Sequence, residues 1–279
     1  MAGGYRHISV SPISGALGAE VHGADLARPL DEVVVAEIRR AFLDHLVIFF
    51  TGQALSPQAQ LAFARRFGEP VEYPQLKGLT ECPLITPVVK LEHEEVNFGG
   101  IWHSDTTYLG RPPMASMLYA VEIPPYGGDT LFANQYLAFE SLSDGLKRTL
   151  EGLVGVNSSM KAEASRTRED RLRSAGEQVK VLVGEHPVVR THPETGRKAL
   201  YVNVGHTACF KGWTEAESRP LLETLFAHQV RPEFTCRFRW SAGALAFWDN
   251  RCTQHNPVND YQGYRRVMHR ITLAGDLPA

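Results

Sequence analysis

In the stretch GGIWHSDTTYLGRPP (residues 99–113) a histidine and an acid, His103 and Asp105, stand two positions apart. Neighbours Ile101, Trp102, Thr106, Thr107 and Tyr108 favour an extended chain, and on a strand residues i and i+2 face the same side. An imidazole and a carboxylate side by side can be two ligands of one metal ion. They can equally be a hydrogen-bonded surface pair. Two H-x-E triplets, His93–Glu95 in EHEEVNFGG and His192–Glu194 in THPETG, lie in acidic or turn-like contexts and read as solvated surface. A third ligand must come from elsewhere. His255, in WDNRCTQHNPVND, is the best candidate, since a loop after the strand-like ALAFWD could present it to the mouth of a barrel. Two histidines and one carboxylate on an octahedral face suit Fe(II) and leave three positions open. Taken alone, His255 is more often a hydrogen-bonded loop residue.

Arg266 follows His255 by eleven positions, and RRVMHR alternates so that Arg266, Met268 and Arg270 share one strand face. At about 3.3 Å per residue the two arginine backbones stand roughly 13 Å apart, enough to grip two different anions. Guanidinium binds a carboxylate or sulfonate through two parallel hydrogen bonds. Internal salt bridges to Asp or Glu are the alternative.

The elements that must position these residues are mostly short strands. DEVVVAEIRRAFLDH (31–45) reads as an amphipathic helix running directly into LVIFF (46–50), a buried strand. SPQAQLAFARRFG (56–68) reads as a short helix with Ser56 as N-cap, Pro57 in the first turn and Gly68 closing it. Strand patterns fall at 114–123, 129–133, 198–204, 244–249 and 265–275. In FTCRFRW (234–240), Phe234, Cys236, Phe238 and Trp240 alternate with Thr235, Arg237 and Arg239. Helical patterns cluster near 134–152 and 214–229, and the charged run 161–178 reads as a solvated insertion. Strands without regular βαβ alternation predict an antiparallel sandwich or barrel with helical additions. No linker or internal repeat divides the chain, so residues 1–279 are expected to form a single domain.

The 279 residues are 43% hydrophobic and 22% charged, with a formal net charge of −2. No global field recruits nucleic acid or an anionic membrane, and no apolar run has the length of a membrane span. The four cysteines show no paired spacing, which argues against a disulfide framework or a structural zinc site. The N-terminus lacks the apolar core of a signal peptide, so a cytoplasmic protein acting on something small is expected.

H103-x-D105, the remote His255 and Arg266, together with GALGAEVHGADLARPL (15–30), PPYGGDTLFAN (124–134) and HPVVRTHPETGRKALYVN (186–203), resemble the Fe(II)- and 2-oxoglutarate-dependent dioxygenases of the TauD/TfdA family. The resemblance covers almost the whole chain. It implies a double-stranded β-helix (jelly roll) with N-terminal helices and an inserted segment. It also implies Fe(II) as cofactor, with 2-oxoglutarate and O2 as cosubstrates. By position, His103, Asp105 and His255 match the iron ligands. Arg266 matches the arginine that binds the distal carboxylate of 2-oxoglutarate, Thr130 the threonine that assists it, and Arg270 the arginine that holds the substrate anion. Tyr73 stands where the taurine-oxidising members have a substrate-binding histidine. Gly99 stands where they have an asparagine, with Asn97 two residues earlier, and His206 replaces an apolar aromatic. These departures leave an anionic organic substrate implied without implying taurine, with Asn97, Tyr73 and His206 as candidate contacts. Similar enzymes are usually dimers or tetramers.

The activity so implied is hydroxylation of a C–H bond in a carboxylate, sulfonate or sulfate ester, coupled to oxidation of 2-oxoglutarate to succinate and CO2. Two alternatives use the same residues. A zinc hydrolase would activate water at the three ligands but leaves Arg266 unexplained. A non-catalytic jelly roll that binds a small anion would keep its affinity without His103 or Asp105.

Overall fold

The computed structural model describes residues 4–74, 76–161 and 180–279. The chain begins with β1 (Ser9–Pro12), β2 (Ala19–His22), α1 (Glu32–His45) and β3 (Val47–Phe50). Next come α2 (Pro57–Ala64), β4 (Pro70–Val71), β5 (Ile85–Lys90), β6 (Ala115–Glu122) and β7 (Thr130–Asn134). Helices α3 (Gln135–Glu140) and α4 (Asp144–Glu151) lead to β8 (Val154–Ser158). The last hundred residues hold β9 (Val183–Pro187), β10 (Val189–Thr191), β11 (Lys198–Leu200), β12 (Thr207–Phe210) and α5 (Glu215–Gln229). They end with β13 (Thr235–Phe238), β14 (Leu245–Asp249), β15 (Thr253–Pro257) and β16 (Arg266–Leu273). The expected insertion at 161–178 lies, apart from Lys161, outside the described residues. Among the described residues no helix is long and apolar enough to cross a membrane.

Local signals explain most boundaries. Ser56 caps α2 by accepting from the Ala59 N–H, and Thr214 and Glu217 form a reciprocal capping box on α5. Helix α1 stops at Leu46, whose φ of 65° breaks the helix and turns the chain straight into β3. Two expectations change. The 56–68 helix ends at Ala64, four residues short of Gly68, in a run of turns. The 198–204 strand pairs only to Leu200.

The large sheet runs β1-β2-β3-β14-β6-β16-β4, with β5 also paired to β16. A smaller sheet, β13-β7-β15, faces it. Among these strands only β2 and β3 pair in parallel. The fold is therefore mainly β, a jelly roll with helical additions. Alternation sends Ile48 and Phe50 of β3 to the outer face, where α1 and α2 cover them in a cluster with Phe42, Phe63 and Phe247. Val47 and Phe49 point inward, with Trp248, Met268 and the small sheet's Phe132 and Phe238. Phe49 stacks on Phe238 at 3.9 Å and meets Phe132 edge-on at 5.7 Å, joining the two sheets.

The same inward face of β16 carries Arg266 and Arg270, both 5% exposed. The alternation read from RRVMHR is thus the one the core enforces. Because the aromatics around Phe49 join the two sheets, Phe49→Ala should cost about 3–5 kcal/mol in a urea titration, with little change in slope. An unchanged midpoint would mean the sheets are not joined there.

Candidate active site

His103 and His255 face each other across an isolated antiparallel bridge. Each backbone N–H donates to the other's carbonyl, at 3.0 and 2.8 Å, which brings the rings to 4.2 Å between centroids. His255 is therefore on strand β15, not on a loop as the sequence suggested, because the turn after ALAFWD is short and the chain pairs again at once. Asp105, conversely, is not on a strand. The chain turns after His103, and Thr106 adopts a φ of 43°. Asp105 reaches the histidines because of that turn, not because i and i+2 share a strand face. Two glycines make room: a Cβ on Gly205 would lie 2.9 Å from the His103 Cβ, and one on Gly99, at φ 74°, would lie 3.1 Å from its ring.

The three side chains offer donor atoms within 4.8 Å of one another. Asp105 Oδ1 is 3.5 Å from His103 Nε2 and 3.7 Å from His255 Nε2, and it is buried with no hydrogen-bond donor. His103 Nδ1 lies 2.6 Å from the Ile101 carbonyl and donates to it, which leaves the Nε2 lone pair facing inward. Burial pushes His255 well below the usual histidine range and keeps it neutral. Burial alone would raise the Asp105 carboxyl, but the positive charge of the Arg270 guanidinium beside it holds it well below the carboxylate range. One orphaned carboxylate oxygen between two neutral imidazole nitrogens fits a divalent cation.

The chamber beside this triad is lined by Val88, Phe98, Trp240, Trp248, Arg266 and Arg270 among others. Arg270 Nη2 bonds Asp105 Oδ2 at 2.5 Å. Its guanidinium lies 4.7 Å from the Tyr73 ring and 5.9 Å from Trp248, and its Nε is unpartnered. Arg266, though buried, keeps Nε and Nη2 without hydrogen-bond partners. Thr130 Oγ1 accepts from Trp240 Nε1 at 3.0 Å, so its own proton remains available to an anion.

The other candidates sit differently. Asn97 donates to the Pro257 carbonyl at 3.0 Å and does not line the chamber. His206 packs edge-on to His103 and Tyr108, at 5.9 and 5.0 Å, behind the triad. Lys90 was not singled out from the sequence, yet it is 2% exposed, pairs across the strand with Arg266, and its Nζ lies over the Tyr261 ring with no hydrogen-bond partner. Only the alternation of ITPVVK could have signalled it.

His192 is not surface. It is 1% exposed, and its Nε2 meets Asp249 Oδ2 at 3.0 Å while its Nδ1 accepts from the Glu194 and Thr195 N–H groups. Asp249 is also gripped by Arg251 at 2.8 and 2.6 Å, and Arg251 reaches Glu194 at 2.7 Å. Thr253 Oγ1 donates to the Asp249 carbonyl at 2.6 Å, which ties this cluster to the turn that launches β15 and His255. The THPETG turn thus folds inward to brace the site's backbone.

A model of the taurine catabolism dioxygenase TauD, TfdA family matches residues 9–272. An alpha-ketoglutarate-dependent sulfate ester dioxygenase of Pseudomonas putida is 37% identical, covering 97% of this chain and 91% of its own. An alpha-ketoglutarate-dependent 2,4-dichlorophenoxyacetate dioxygenase of Cupriavidus pinatubonensis is 33% identical over 96% and 98%. Among solved structures, a taurine dioxygenase from Burkholderia xenovorans superposes with a TM-score of 0.84 at 41% identity, covering 98% of this chain and 91% of that one.

The brace behind His255 should be sensitive to acid. Burial would raise the Asp249 carboxyl, but the hydrogen bonds and charge of Arg251, then the hydrogen bond from His192, hold it far below its ordinary value. Its stabilisation is full above the unfolded carboxylate pKa of about 4 and drains as pH falls below it. Asp249→Asn, which strands Arg251 and His192, should cost about 3–5 kcal/mol at pH 7 and about 1 kcal/mol less at pH 3. Equal losses at both pH values would contradict this.

Proposed function

The chain belongs to the TauD/TfdA family and is a 2-oxoglutarate-dependent non-haem iron dioxygenase using Fe(II), 2-oxoglutarate and O2; on that premise we propose that its substrate is a small organic anion, a sulfate ester in the first instance. Membership displaces the zinc-hydrolase and non-catalytic readings.

The observation that carries the proposal is the pair of buried arginines with unspent donors, on the inward face of β16 beside the orphaned Asp105 Oδ1. In this reading His103, Asp105 and His255 hold the iron. Bound there with 2-oxoglutarate and O2, iron supplies the oxidising chemistry that yields succinate and CO2 and places one oxygen atom in a substrate C–H bond.

The residues supply position and dryness. Arg266, with two free nitrogens and the Thr130 hydroxyl nearby, grips the distal carboxylate of 2-oxoglutarate through charge-assisted bonds. Arg270 keeps Nη2 on Asp105 and turns Nε to the substrate anion, with Tyr73 and Trp248 packed on its guanidinium. The aromatic lining excludes water and fixes a C–H bond within reach of the triad. Two of the similar proteins, the sulfate ester dioxygenase and an alkylsulfatase of Acinetobacter baylyi at 37% identity, favour a sulfate ester among anions of this size. Hydroxylation of the carbon bearing the sulfate gives a hemiacetal ester. Its hydroxyl proton leaves, a C=O bond forms, the C–O bond to sulfate breaks, and an aldehyde and sulfate are released.

Without oxygen, Fe(II) and 2-oxoglutarate added to the metal-free protein should give a weak visible charge-transfer band. Asp105→Ala and Arg266→Ala should weaken or abolish it. In air, a short alkyl sulfate should stimulate succinate formation with matching sulfate release. The parent alcohol, lacking the anion, should be about 10–100-fold less effective. Absence of the band overturns the site assignment, and equal stimulation by the uncharged alcohol overturns the anion role of Arg270.

A further inference from the structure

We propose that Ser116 and Asn250 are positioning residues that fix the Asp105 carboxylate so that Oδ1 alone is offered to the metal. The inference rests on the assignment of Asp105 as a ligand and follows from counting protons. Ser116 lies on β6 with no exposure. Its Oγ has three neighbours: Asp105 Oδ2 at 2.7 Å, Asn250 Nδ2 at 3.0 Å and Arg270 Nη2 at 3.2 Å. Guanidinium can only donate. The Asn250 amide must present its NH2 to Ser116, because its Oδ1 already faces two obligate donors, Trp248 Nε1 at 3.0 Å and the Asp105 backbone N–H at 3.4 Å. Both lone pairs of the Ser116 hydroxyl are therefore occupied. Its single proton has one acceptor left, Asp105 Oδ2.

Every bond in the chain from the Trp248 indole through Asn250 and Ser116 to Asp105 has a determined direction. Oδ2 receives two donors, the Ser116 hydroxyl and Arg270 Nη2. Oδ1 receives none and faces both imidazole Nε2 atoms. To swing, or to present both oxygens to an ion, the carboxylate would have to release both donors at once. Asn250 does a second service. It holds the Asp105 backbone and also the indole of Trp248, which packs 4.8 Å from the His255 ring. A single buried amide thereby sets the carboxylate and one wall of an imidazole.

Ser116→Ala deletes the donated proton and leaves the strand intact. Anaerobic Fe(II) titration of the metal-free protein should show a dissociation constant about 10–100-fold higher than the parent's. At saturating iron and 2-oxoglutarate the charge-transfer band should shift or broaden, while the melting temperature of the metal-free protein moves by only a few degrees. A folded Ser116→Ala protein with an Fe(II) dissociation constant within twofold of the parent's and an unaltered band overturns the proposal. So does weaker binding that merely tracks a lowered melting temperature with the band unaltered. If the parent itself binds no Fe(II), the ligand assignment fails, and the positioning role with it.

Discussion

A carboxylate whose side chain has no exposure persists in ionised form only if other groups replace the hydration it has lost. Asp105 is that carboxylate, and the groups that compensate it come from adjoining strands of the large sheet. Ser116 is on β6, Asn250 directly follows β14, and Arg270 is on β16. Because the sheet order places β14, β6 and β16 side by side, Ser116 and Arg270 meet on one carboxylate oxygen while Asn250 holds Ser116 and the Asp105 backbone from behind. That order is held in turn from outside, where α1 and α2 bury Phe42 and Phe63 against β3 and β14. The helices never touch the chamber, yet its charge balance depends on the register they clamp.

Positive charge also gathers at the chamber wall, where Arg266 lines it. Arg266 and Lys90 are cross-strand partners, both almost fully buried, and neither has a hydrogen-bonded carboxylate. Natural interiors rarely leave like charges adjacent, and under the proposed function an anion brought in from outside completes this one. The rings of Trp240 and Tyr261, beside Arg266 and Lys90 respectively, soften the cost through their π faces without supplying the missing negative charge.

Much of this was legible in the sequence, and the reasons differ by element. The period of two in RRVMHR and FTCRFRW survives because both strands bury one face against aromatics, so burial and pattern agree. VIFF is buried on both faces, and a continuous apolar run records that directly. Asp105 was correctly paired with His103 for a reason that does not hold, since a turn with Thr106 at positive φ, rather than strand alternation, brings the two together. His255 was placed on a loop because a polar stretch such as TQHNP lacks a strand signature; it is a strand because β7 pairs with it. His192 looked like surface because THPETG has turn chemistry, and only tertiary contact reveals that the turn folds inward onto Asp249. Ser116 and Asn250 carry no local mark at all, as their role lies in which atoms surround them.

The bridge between His103 and His255 joins positions separated by more than half the chain. Neither residue can find the other by local structure formation. Closing the chain between them is a non-local event with a high entropic cost, offset by the pairing of β15 with β7. Under the proposed ligand assignment, the metal site is complete only when β15 pairs with β7. A chain still short of β15 would then present one imidazole and one carboxylate, and the third ligand would arrive with the strand that completes the small sheet, so the site and the wall beside it are finished by one pairing.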